Sequence, residues 1–141
     1  MIPLKQVVQA IEEASEAYTL YLDTQTGKTV YLPDAFVTGE TDEALAMEIE
    51  GNHGRYLRFP DKYEIHEYSI MEQFVESLSP DKAQEELAYA IRGKGAFRRF
   101  KSSLRYFGLE QRWYDFKAEV FREKAIRWCR DNNVEFEDEE E

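Results

Sequence analysis

Apolar positions along this chain recur with two different periods, and the change of period marks its elements. In "PLKQVVQAIEEAS", Leu4, Val7, Val8 and Ile11 keep helical spacing, so an amphipathic helix is predicted, with Pro3 at its start. From Tyr18 the period drops to two. Tyr18, Leu20 and Leu22 alternate with Thr19, Tyr21 and Asp23, as a half-buried strand requires. "TQTGK" supplies a turn in which Gly27 can take positive φ, "KTVYL" returns as a second strand, and Pro33 ends it. "RYLRFP" reads as a third strand, stopped by Pro60. Between the second and third strands, Thr41 is the expected cap of a short helix over residues 42–49. "DKYEIHEY" reads as a loop.

After residue 68 the helical period takes over. "SIMEQFVESL" opens with a capping-box pattern, Ser69 with Glu72, and sets Ile70, Met71, Phe74, Val75 and Leu78 on one face. "SPDKAQEELAYAIRG" restarts with Ser79 as the expected N-cap, Pro80 in first position and Gly93 as the expected C-cap. In "AFRRFKSSLRYFG", Phe97, Phe100, Leu104 and Phe107 are placed on one face, and Gly108 breaks the helix. The last helix, from Leu109 to about Asn132, carries two apolar stripes. One is Leu109, Trp113, Phe116 and Val120; the other is Tyr114, Phe121, Ala125 and Trp128. Two stripes imply two packing neighbours. The pattern predicts one α+β domain over residues 1–132, in which an N-terminal helix and a small antiparallel sheet of about three strands join a C-terminal multi-helix segment. Residues 133–141 are expected to form a mobile acidic tail.

Composition bears on this picture at three points. Hydrophobic residues make up 43%, enough for a core. No apolar run is long enough to span a bilayer and no secretory signal is evident, so the expected location is the cytoplasm, without membrane association. Cys129 is the only cysteine, which excludes an intrachain disulfide, and it reads as a buried, inert thiol.

Charge changes the picture most. The chain carries a net charge of -11, yet residues 92–130 sum to +8, against -12 for residues 1–91 and -7 for residues 131–141. Within "AIRGKGAFRRFKSSLR", Arg92, Lys94, Arg98, Arg99, Lys101 and Arg105 occur with no acid among them. Two glycines bracket Lys94 between two helices, and Arg98 and Arg99 fall near the start of the second. A helix N-terminus is electropositive, so arginines there need a compensating negative charge. Two sources are open. One is an acidic segment of the same chain, such as residues 34–50 or the tail; the other is an anionic ligand at the helix start. As a binding surface, the same block would meet an acidic partner or a second copy. Lys94, Arg98, Arg99, Lys101 and Arg105 are the candidate anion or partner contacts. Of these, Lys94, Arg99 and Lys101 are the preferred exposed contacts, whereas Arg92 is expected to cap the preceding helix. Phe97 and Phe100 are expected in the core.

Known phosphate loops do not fit. The Walker pattern lacks its glycine spacing, and "GKGAFR" puts Arg98 where GxGxxG needs its third glycine. A phosphate-bearing ligand, nucleotide or RNA, remains open at the helix start after Gly95. A dedicated DNA-binding role is disfavoured by the pI of 4.7. His53 and His66 lie in expected loops and show no ligand spacing, and no catalytic, cofactor or metal constellation is read. An enzymatic role is therefore the weakest of the three readings.

"LYLDTQTGKTVYL", "RYLRFP", "SIMEQFVESL", "AIRGKGAFRRFKSSL" and "WYDFKAEVFREKAIRWC" together resemble the bacterial uncharacterised protein family numbered 0158, from the first helix to about residue 132. The resemblance implies a small bacterial cytosolic protein and assigns no catalytic residue.

Overall fold

The computed structural model describes residues 1–138. Contacts divide the chain into two compact units: Met1–Ile65 together with the chain from Phe121 onward, and His66–Val120.

The first unit is built on an antiparallel sheet. Strand β1 is Ile2–Pro3 and helix α1 is Leu4–Glu12, with Pro3 as its N-cap. Strands β2 (Tyr18–Asp23), β3 (Lys28–Pro33) and β4 (Tyr56–Arg58) follow, in the spatial order β3-β2-β4. On the central strand Leu20 faces Tyr31, Leu22 faces both Thr29 and Leu57, and both leucines are buried; the predicted alternation breaks at the ends, where Tyr18 is exposed and Asp23 is buried by its ion pair with Arg55. Helix α1 buries Leu4, Val7, Ala10 and Ile11. The Gln6 side chain donates to the Gly27 carbonyl at 2.9 Å, which ties α1 to the hairpin turn.

Between β3 and β4 lie α2 (Ala35–Thr38), capped by Asp34, and α3 (Glu43–Gly51). The cap of α3 is Asp42, which accepts from the Leu45 N–H at 3.0 Å; Thr41 does not fill that role. A carboxylate is a stronger acceptor for a helix N-terminus than a hydroxyl. The segment read as a loop contains a helical turn, α4 (Lys62–Ile65), held by reciprocal bonds between Asp61 and Glu64.

The second unit is helical: α5 (Glu67–Ser77), α6 (Lys82–Ala90), α7 (Ala96–Phe107) and the first half of α8 (Glu110–Asp131). Helix α5 starts two residues before the predicted capping box. Its N-cap is His66, in the left-handed region at φ 52°, so Ser69 lies inside the helix. At α6 the cap is Asp81, bonding Gln84 N–H at 3.0 Å, and Ser79 and Pro80 stay outside. That helix ends with Ile91 as C-cap, two residues before Gly93. Phe74 organises the core of this unit: its ring meets Phe100, Trp113 and Phe116 edge-on at centroid distances of 6.2, 5.3 and 5.4 Å. Such pairs add about 0.5–1.5 kcal/mol each beyond area burial.

Helix α8 passes from one unit to the other, and its two stripes divide accordingly. Trp113 belongs to the Phe74 cluster, whereas Trp128 stacks on Phe59 at 4.4 Å and donates to the Arg58 carbonyl at 3.0 Å. Tyr114, expected in the second stripe, is exposed. Cys129 is fully buried, and desolvation pushes its thiol up to about 11, so it is an unreactive core residue.

Asn133, at φ 56°, closes α8, and Val134 donates to the Cys129 carbonyl at 2.8 Å. The chain then forms β5 (Phe136–Glu137), parallel to β1 with Ile2 beside Phe136. Part of the expected acidic tail is thus sheet; residues 139–141 lie outside the described residues.

Candidate functional site

The basic block lies on the corner between α6 and α7. The chain leaves α6 at Ala90 and turns through Gly93 (φ 70°) and Gly95 (φ 76°), both in the left-handed region that side chains resist. Space is also short at the second glycine: a Cβ on Gly95 would come within 3.0 Å of Arg99 Nη1.

Arg99 accounts for that crowding. It sits in the first turn of α7 but its side chain reaches back to the end of α6. Nε donates to the Ala90 carbonyl at 2.9 Å, Nη1 to Lys94 O, and Nη2 to Arg92 O. The last carbonyls of a helix have no partners within it and carry its negative dipole end. The five donors of a guanidinium, in fixed planar array, suit three converging carbonyls. The expected roles are therefore exchanged: Arg99, predicted as an exposed anion contact, is the cap, while Arg92 lies over the Tyr89 ring at 5.8 Å. A hydrogen bond from a charged donor contributes about 1.5–3 kcal/mol, which favours this arrangement over a guanidinium left in solvent.

The other bases remain on the surface. Ala96, Phe100 and Leu104 form the buried face of α7. Arg98, Lys101 and Arg105 stand at i, i+3 and i+7 on the opposite face, all exposed, and Lys94 is exposed at the corner. Among the described residues of this unit, no carboxylate forms an ion pair with any of these four. No acid occurs between Ala96 and Phe107.

Two aromatic side chains accompany these bases. Phe97 is 47% exposed and Tyr106 84% exposed. Phe97, expected in the core, is instead half-exposed: it lies at the edge of the stripe set by Phe100 and Leu104 and at the first turn of α7, where the core covers only part of its ring. Tyr106 lies nearly opposite Leu104 on the helical wheel, a position that the spacing alone gives.

The first unit holds different chemistry. Asp23 is 4% exposed and accepts from Arg55 Nε and Nη2, both at 2.9 Å, and from Gln25 N at 3.0 Å. The Arg55 guanidinium, aided by the backbone donors, holds its carboxyl far below the usual carboxylate range against the opposing effect of burial. This pair braces the turn end of the hairpin and links it to the start of β4. Glu50 and His53 line an open cleft of about 550 Å³ together with Tyr21, Tyr56 and Arg58. Arg58 is already engaged by Glu64 at 2.8 Å. Among the described residues no three His, Cys, Asp or Glu side chains gather as metal ligands, and no helix is long and apolar enough to cross a membrane.

Comparisons with known proteins agree in family and assign no activity. A UPF0158 protein of Pseudomonas aeruginosa is 30% identical over 116 residues, covering 82% of this chain and 73% of its own. A UPF0158 protein of Chlamydia trachomatis is 28% identical over 145 residues, covering all of this chain. The chain spans only 43% of the length of that chlamydial relative. No solved structure gives a significant match. With the family model matching residues 1–141, the chain belongs to the uncharacterised protein family UPF0158.

Proposed function

We propose that this protein is a non-enzymatic binding module whose exposed α7 face engages an acidic partner. The observation that supports the reading is the division of labour within one basic block. Arg99 is committed to the end of α6, while Arg98, Lys101 and Arg105 point outward on a helix that has no acid. Three like charges at helical spacing repel one another weakly and bring no fold stability of their own. An opposite charge from outside turns that repulsion into attraction. Lys94 extends the same surface at the corner.

A phosphate held at the start of α7, the second reading, finds less support. The side chain that would have clasped it, Arg99, is turned toward α6.

The test is substitution of all three outward bases, Arg98→Gln, Lys101→Gln and Arg105→Gln, with binding measured on immobilised polyanions such as heparin and polyglutamate. The native chain should be retained and released by rising salt. The triple variant should pass through with its melting curve intact. Equal retention of both proteins would refute the reading.

A further inference from the structure

Resting on the basic-face reading above, we propose that the partner of α7 is single-stranded nucleic acid, with its phosphates on Arg98, Lys101 and Arg105 and its bases stacked on Phe97 and Tyr106. The inference comes from what lies beside the charges. A face that served only to meet carboxylates of a folded protein needs bases alone. This one places an exposed aromatic ring on each side of the basic stripe.

Helical geometry sets the arrangement. At about 100° per residue, Arg98, Lys101 and Arg105 cluster within roughly 60° of arc, with Phe97 roughly 70° to one side and Tyr106 roughly 110° to the other. Along the axis the two rings are about 13 Å apart, at a rise of about 1.5 Å per residue. A strand crossing α7 diagonally would meet one ring, then the bases, then the other ring. Exposed Ser102, on the Tyr106 side of the stripe, adds a hydroxyl that can donate to a phosphate oxygen.

The chemistry of the two groups is complementary. Cationic side chains following a backbone and aromatic faces accepting bases are the joint signature of sequence-tolerant single-strand binding. Duplex is the poorer fit, because its bases are already stacked on one another and offer no free face to Phe97 or Tyr106. The chain's net charge of -11 does not oppose this locally. Residues 66–120 carry nine carboxylates and nine bases, and α7 has none of the carboxylates. Charges beyond a Debye length, about 8 Å at physiological salt, are largely screened.

The experiment uses the full chain with fluorescein-labelled dodecamers of uridylate and of thymidylate, read by anisotropy. A matching duplex, heparin and polyglutamate serve as competitors. Both single strands should bind better than the duplex. Affinity should fall with salt at a log–log slope of about -2, as three phosphate contacts on a single strand require. Phe97→Ala and Tyr106→Ala should each weaken binding roughly five- to 100-fold, with thermal melts showing that both variants stay folded. A marked preference for uridylate over thymidylate would identify RNA as the natural strand, and equal binding would support recognition of either.

Three results would overturn the proposal. Aromatic variants that bind oligonucleotides as well as the native chain would remove the stacking role. Heparin and polyglutamate binding with no oligonucleotide binding would reassign the face to an acidic protein partner and leave the basic-face reading standing. No binding of any polyanion would overturn both.

Discussion

At the residue scale, two charged side chains do structural work that their types alone do not announce. Arg99 bonds the last carbonyl of α6, at Ala90, and two carbonyls of the turn that follows, at Arg92 and Lys94. Arg99→Gln should therefore lower stability by about 1.5–3 kcal/mol, the range for hydrogen bonds from a charged donor. Arg98→Gln, one residue earlier, should change it by no more than about 0.5 kcal/mol, as an exposed substitution does. Paired urea denaturation curves would check the contrast, and equal midpoints for the two variants would contradict the capping role. Asp23 gives a pH signature. Its carboxyl titrates lower in the folded chain than in the unfolded one, so the folded state binds fewer protons. Its contribution is fully present above the ordinary value of about 4 and is lost as pH falls below that. Asp23→Asn should be less stable at neutral pH and lose less stability than the native chain between about pH 4 and pH 2. Parallel acid limbs in the two thermal-melt series would rule this out.

At the element scale, strands and helices followed their local patterns more closely than their ends did. The β2–β3 hairpin was readable because alternation and a glycine turn are properties of neighbouring residues. Helix starts were misplaced at Thr41, Ser69 and Ser79 in the same way. Each hydroxyl fits a cap by type, but Asp42, His66 and Asp81 hold the cap positions in the folded chain. Strand β5 left no trace at all. A two-residue pairing has no period, and its partner lies at the other end of the chain. Its worth can be measured. Ending the chain at Asn133 removes the Ile2 N–H to Glu135 bond, the β1–β5 pairing and the Arg122–Asp138 contact. The truncated protein should lose about 1–2 kcal/mol. Hydrogen exchange at Ile2 should accelerate in step, and unchanged protection there would show that the pairing is not formed in solution.

At the scale of the whole molecule, charge and architecture divide along the same line. The net negative charge lies on residues 1–65 and 121–141, because residues 66–120 are balanced. A pI of 4.7 describes the sum and hides the basic face of α7. The family comparisons name relatives without naming an activity, so the functional argument rests on that face. The five candidate bases do not all face the same way. Arg98, Lys101 and Arg105 stay outward with Lys94, Arg99 leaves the set, and Phe97 and Tyr106 join the surface around it.

The sequence by itself determined the period of the hairpin strands and of the longer helices, the glycine-bracketed corner, the burial of Cys129 and the concentration of positive charge after residue 91. All of these follow from residues within a few positions of one another. Only the tertiary structure decided that two units share α8, that β5 returns to β1, and that the carbonyls of Ala90, Arg92 and Lys94 answer Arg99. The reason is common to all three. Each depends on where a group finds its partner in space, and a guanidinium carries the same charge in the sequence whether it meets a phosphate, a carboxylate or the end of the preceding helix.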